Sequence, residues 1–226
     1  QRLRQLSMKV LFVSSGNKSN EPGQPGAVVY NQGESLKNLG IKIDYFLIKG
    51  KGFWGYLSNL KNLTLQISKN KYDIIHAHYS LSALTATLPL VFNRSIPVIV
   101  SLMGSDTQLK GINRFLVKVF SRYFWTTTIV KSESMQENIG IKKSTIIPNG
   151  VNINKIKAIE KEIASKQEDS SEKTNSKTIL FAADPDRESK NYPLAQKAIN
   201  LLNNTAKLRV VYNTTHNKIL KEILKT

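Results

Sequence analysis

Hydrophobic positions along the chain fall into short runs, and three of these runs stop abruptly in polar tips. They are KYDIIHAHYS at 71–80, PVIVSLMGSD at 97–106 and STIIPNGVN at 144–152. Each begins as a short apolar strand and ends in His, Gly, Ser, Asp or Asn, residue types suited to a binding loop. In an open parallel sheet, ligands bind outside the carboxyl ends of the strands. The pattern therefore gathers His76, His78, Gly104, Asp106, Asn149 and Gly150 along one edge, despite their separation in sequence.

Between the strands, apolar residues recur at helical spacing. The first half reads as strand 8–14, helix 27–39 ending at Gly40, strand 43–48, helix 56–69, strand 73–77, helix 80–92 and strand 97–101. Helix 111–125, strand 126–130, a short helix from Ser132 and strand 144–147 follow. Strands separated by helices of this length pair in parallel through right-handed crossovers. The expected fold class is α/β, with a doubly wound Rossmann-like parallel sheet over residues 8–152. Residues 153–176 are highly charged, weakly apolar at first and rich in Ser, Glu and Lys later, which reads as a linker. A second alternation occupies 177–226: strand 178–183, helix 192–203, strand 208–212 and helix 217–225. Two strands and two helices cannot bury a sheet on both faces, so this part is expected to be an incomplete second Rossmann-like domain.

Composition narrows the class. Of 226 residues, 40% are hydrophobic and 22% charged, the balance of a globular protein. No apolar run approaches the roughly 18–20 residues needed to span a bilayer. The first seven residues, QRLRQLS, have no apolar core and read as an extension before Met8. The absence of Cys excludes disulfides and thiolate metal sites and fits a cytoplasmic location. The net charge of +17 rests on 26 Lys and 7 Arg against 16 acids. A general bias toward Lys, Asn and Ile accounts for such a charge, and no zinc-finger spacing, RNA-binding aromatic signature or basic helix-turn-helix accompanies it. No nucleic-acid partner is expected. An anionic nucleotide or membrane surface uses the same charge.

Two stretches combine basic and aromatic residues. GINRFLVKVFSRYFW at 111–125 places Arg114, Lys118 and Arg122 at i, i+4 and i+8, beside Phe115, Val119, Phe120 and Trp125. KGKGFWGY at 49–56 adds Lys49, Lys51, Phe53 and Trp54. Such surfaces suit anionic lipid headgroups or a lipid-linked acceptor on the inner face of the membrane. A sheet-packing helix with a solvated basic face produces the same pattern.

Four segments, in order, carry a family likeness: DIIHAH at 73–78, MGSD at 103–106, VKSESM at 130–135 and IIPNGVN at 146–152. They resemble the amino-terminal domain of retaining glycosyltransferases of family 4, which have the GT-B architecture. ILFAADPDRESKNYPLAQKAI at 179–199 resembles the start of their nucleotide-sugar-binding domain. The likeness spans residues 8–226 and implies two Rossmann-like domains facing across a cleft, with the acceptor on the first and the donor mostly on the second. It implies no cofactor and no obligatory metal. The implied partners are a nucleotide sugar and a glycan or lipid-linked acceptor; the implied reaction is hexosyl transfer with retention, the leaving phosphate assisting deprotonation. No protein nucleophile is named.

The site candidates follow residue by residue. Gly23 and Gly26 precede a helix N-terminus, whose free N–H groups favour a phosphate; relatives often have adjacent glycines where Gln24-Pro25-Gly26 stands. His78 ends a strand where an imidazole meets a sugar hydroxyl, and His76 points to the same sheet face. A metal pair is disfavoured for want of a third ligand. Met103 stands where many relatives have His, which leaves Gly104 for backbone approach and Asp106 as a hydroxyl acceptor or a loop cap. Asn149 supplies a tight turn or a cleft contact. Asp184-Pro185-Asp186 matches an Asp-x-Asp metal motif only superficially, whereas Lys190, helped by Arg187, suits a donor diphosphate. Relatives also carry paired glutamates later in the donor domain, and the chain stops before them. A non-catalytic fragment or acceptor-binding module is the alternative, and a sugar-nucleotide epimerase of GT-B architecture the third reading.

Overall fold

The structure, a computed structural model, describes residues 8–15, 26–50, 52–92, 95–141, 143–167, 177–202, 205–214 and 216–224. The chain divides into two compact units, Gln1–Gly150 and Val151–Thr226. In the first, strands β1 (Lys9–Ser15), β2 (Lys42–Ile48), β3 (Ile74–His78), β4 (Val98–Ser101), β5 (Thr127–Val130) and β6 (Thr145–Ile146) form one sheet. Its order is β2-β1-β3-β4-β5-β6, and every pairing is parallel. The chain steps from β1 to β2 on one side and returns past β1 to β3. The order thus reverses between β1 and β3, and their carboxyl ends open the crevice that such a sheet offers a ligand.

Helices α1 (Ala27–Asn38), α2 (Gly52–Leu57), α3 (Leu60–Lys69), α4 (Ser80–Thr87), α5 (Gly111–Tyr123) and α6 (Glu133–Ile139) cover the sheet. Strand alternation divides β1 between two cores. Leu11 and Val13 join Leu63, Ile75, Val100 and Val117, while Val10 and Phe12 join Val29 and Ile43. Burial on both faces explains why β1 is apolar almost throughout. Local signals set the helix ends. Gly40, at φ 86, closes α1, Ser132 caps α6 through the Met135 N–H, and Gly140, at φ 73, ends α6.

Two helices differ from the sequence reading. The stretch expected as one helix over 56–69 is α2 and α3, because Asn59 is buried between them and its side chain is occupied elsewhere. Its Oδ1 accepts the Lys49 N–H at 3.0 Å, and its Nδ2 donates to the carbonyls of Lys49 and Gly55. Gly50 and Gly55 approach so closely that a Cβ on Gly50 would lie 2.9 Å from the Gly55 Cα. The helix expected over 80–92 stops at Thr87 and tightens into a 3-10 turn at Leu88–Leu90, because Pro89 has no N–H to continue the ladder.

α4 is buried along nearly its whole length, and its small residues make that burial feasible. Thr85 and Thr87 return their hydroxyls to the carbonyls of Leu81 and Ala83, and Trp125 donates its indole N–H to Thr87 Oγ1 at 3.0 Å.

In the second unit β7 (Lys177–Phe181) and β8 (Ala206–Val210) pair in parallel, accompanied by α7 (Ile153–Gln167), α8 (Tyr192–Asn200) and α9 (His216–Leu224). Most of the stretch read as a linker is therefore helix: α7 packs on α9, with Glu162 paired to Lys221 at 2.6 Å and Ile159 and Ile163 buried. Residues 168–176 and the amino-terminal extension lie outside the described residues.

Packing around Gly33 gives a test of the small core. A Cβ there would lie 1.9 Å from the Tyr45 hydroxyl oxygen, and the Tyr45 ring stands edge-on to Phe12 at 5.8 Å. Gly33→Ala should cost about 1–3 kcal/mol in urea unfolding. Gly104→Ala, which meets nothing within 4 Å, should leave the midpoint unchanged.

Candidate functional site

The carboxyl end of β3 carries two stacked histidines. His76 and His78 have ring centroids 4.3 Å apart at 26°, and Phe12 of β1 closes on them at 5.0 and 4.8 Å. The register sets His78 beside Ser101 and Ile99 beside Thr127, so alternation carries the same sheet face across to Lys131 just beyond β5. His76 Nε2 lies 2.8 Å from Ser101 Oγ. His78 is 1% exposed, and neither of its ring nitrogens has a hydrogen-bond partner among the described residues. The Ser14 hydroxyl, on β1 at the same edge, is also buried without a partner among them.

Burial keeps the two histidines uncharged. Burial, and then the charge of Lys131, pushes His76 down to about 4. Burial holds His78 well below the usual imidazole range, with His76 and Lys131 adding to it. Half-burial also lowers the Lys131 ammonium. A neutral imidazole offers one donor and one acceptor, the pair that a hydroxyl group answers.

Asp106 sits on the next loop and faces inward. One carboxylate oxygen accepts the Ser80 N–H at the start of α4 at 3.1 Å, and the other accepts the Met103 N–H at 2.6 Å. It is 1% exposed, and burial raises its carboxyl above the usual range while the Ser80 and Met103 donors lower it. Asp106 therefore caps α4 from outside its own segment. Tyr79, between His78 and α4, has φ 80 and ψ 145, a conformation that side chains other than Gly rarely take. Its N–H donates to the Ser101 carbonyl at 2.9 Å.

The remaining candidates are distributed differently. Gly104 and Asn149 are exposed, and no space-filling neighbour demands a glycine at Gly104 or Gly150. Gly26 precedes α1, its carbonyl accepting the Tyr30 N–H; Gly23 lies outside the described residues. In the second unit Asp184 Oδ1 accepts the Asp186 N–H at 3.1 Å, an Asx turn. A 3-10 turn at Glu188–Lys190 and Asn191 at φ 50 then lead into α8, so Arg187 and Lys190 flank its N-terminus as exposed cations. Among the described residues no group of three or more His, Asp or Glu is placed to hold a metal.

Sequence reasoning overlooked Ser101, Lys131 and Tyr79. Strand parity points to the first two, since both continue the face of His76 and His78. Nothing in a tyrosine announces a positive φ.

The depressed histidines make stability fall with acid. Above 6.5 both states are neutral at these positions; below it the unfolded chain takes up protons that folded His76 refuses until about 4, and that folded His78, also held well below the usual range, refuses as well. The loss amounts to about 1.4 kcal/mol per pH unit for each histidine. Asp106 works in the opposite sense, because its raised carboxyl holds a proton in the folded state first. Urea midpoints between about pH 7.5 and about pH 5 should drop, and His76→Asn should roughly halve the slope.

Comparison with known proteins agrees with this architecture. The model of Glycosyltransferase Family 4 matches residues 1–155. No curated protein sequence matches the chain. Among solved structures, HepE of Anabaena, crystallised with UDP and glucose, aligns at TM-score 0.56 and 14% identity, over 94% of this chain and 71% of that one. The catalytic domain of starch synthase IV from Arabidopsis thaliana, bound to ADP and acarbose, aligns at 0.57 and 13% identity, over 96% and 70%. At such identities the likeness is one of fold, the Rossmann-like α/β arrangement of GT-B proteins. The family model covers more than half of the sequence and coincides with the six-stranded unit: the chain belongs to glycosyltransferase family 4.

Proposed function

We propose that the protein takes part in hexosyl transfer from a nucleotide sugar to a hydroxyl on a glycan or lipid-linked acceptor, with retention of configuration as the family resemblance implies. The observation that carries this reading is the polar cluster of buried His76, His78 and Ser101 with half-buried Lys131, beside the reversal point of a sheet that belongs to family 4. His78 remains neutral and presents its unused donor and acceptor to the acceptor or the transferred sugar. Its burial requires the crevice to open for that contact.

Donor binding is assigned to the second unit. Breakage of the glycosidic bond leaves a nucleoside diphosphate, whose charge is best stabilised by preorganised cations and helix N-termini. Lys190 and Arg187 supply the cations beside α8, and the first N–H groups of α1 after Gly26 offer a second anion site. Asp106 acts as a positioning residue through Ser80 and Met103; Gly104 and Asn149 are loop positions within reach of solvent and ligand.

Calorimetric titration with UDP, UDP-glucose, ADP-glucose and a GDP-hexose tests the donor half. One of these should bind, and Lys190→Gln should weaken it about tenfold, the worth of one charge-assisted contact. A chain that binds none of them contradicts the reading. For the acceptor half, His78→Asn should lower turnover about 10²-fold while leaving donor affinity in place.

A further inference from the structure

α5 has two working faces. Val117 is fully buried, with Leu116, Phe120 and Phe124 packed beside it against the larger core. The opposite face is apolar as well: Ile112 is 69% exposed, Phe115 61% and Tyr123 58%, with Val119 half-buried between them. These four stand at i, i+3, i+7 and i+11, a stripe parallel to the helix axis. Beside it runs a second stripe, Arg114, Lys118 and Arg122 at i, i+4 and i+8. Lys118 and Arg122 are exposed, Arg122 lies 5.7 Å over the Tyr123 ring, and Arg114 reaches the Asn138 carbonyl. No acidic residue occurs in α5.

We propose that this face of α5 docks the protein on an anionic bilayer, lying flat with the apolar stripe in the headgroup–acyl boundary and the basic stripe among the phosphates. Three observations choose lipid as the occupant. The two stripes are parallel and adjacent, so one orientation immerses the rings and lets the basic side chains snorkel to the headgroups. Charge complementarity is one-sided: residues 1–150 hold 19 Lys and Arg against 7 Asp and Glu, so most of the excess charge lies in the unit that carries α5. α2, which packs like α5 against α4, exposes Trp54 at 80% and Phe53 at 46% beside the basic Lys49 loop, a second aromatic anchor of the kind found at membrane interfaces. Among the described residues no helix is long and apolar enough to cross a membrane, so the contact is one of adsorption.

The inference stands apart from the transferase reading, since vesicle binding is measured without donor or acceptor. Co-sedimentation with phosphatidylcholine vesicles, with and without about 30% phosphatidylglycerol, should show binding only to the anionic set and release as salt rises. Lys118→Gln and Arg122→Gln should each lower the partition coefficient about fivefold. Phe115→Ser combined with Tyr123→Ser should lower it about tenfold or more, with an unchanged far-UV melting curve. Lys207→Gln, on β8 of the second unit, should lower it by less than twofold. Equal binding to neutral vesicles, or indifference to both the charge and the ring substitutions, overturns the proposal. So does loss from Lys207→Gln as large as that from Lys118→Gln, which would mean that net charge rather than this face drives adsorption.

Discussion

The Asp106 carboxylate ties the loop after β4 to the helix that follows β3. Its two oxygens take the Ser80 and Met103 N–H groups, and its charge sits at the amino end of a buried helix, where the helix dipole favours an anion. α4 has few polar resources of its own: most of its residues are small, its two threonine hydroxyls fold back on its own carbonyls, and it lies directly on the sheet. Without an external acceptor its first N–H would be an unpaired donor in the interior, which costs about 1–3 kcal/mol. The position of α4 in turn fixes the surfaces on which α2, α3 and α5 pack.

A site built beside that anchor has an unusual electrostatic character. The protein carries a large positive charge, yet the three basic groups nearest the crevice are those in which burial works against protonation. The two histidines of the crevice are polar and neutral, while Lys118 and Arg122 stand on the outward face of α5. Under the reading proposed above, the neutral imidazoles answer a sugar, which needs matched donors and acceptors, whereas a diphosphate needs charge.

Much of the fold was legible because parallel strands buried on both faces write themselves as apolar runs, and the alternation with helices survives in the pattern. The misread elements had causes outside the hydrophobic pattern. Asn59 broke a helix through hydrogen bonds to Lys49, ten residues away, and Pro89 ended another that periodicity alone would continue. His78 was found as a strand-end histidine. Its neighbours on that sheet face, Ser101 and Lys131, follow from strand parity only once the register across β3, β4 and β5 is known, which a single sequence does not contain. Asp106 stood in the sequence either as a hydroxyl acceptor or as a loop cap, because a carboxylate that caps a helix and one that binds a sugar are the same residue in the same kind of loop. Only the direction of its oxygens tells them apart.

Tyr79 draws these strands of structure together. A non-glycine residue at φ 80 stays there only while its surroundings hold it, and the holding groups are the Ser101 carbonyl on one side and, through Ser80, Asp106 on the other. The turn after β3 and the turn after β4 are therefore one mechanical part. Moving the backbone beside His78 means breaking hydrogen bonds that belong to β4 and its loop, so the two rims of the crevice open in concert or stay shut.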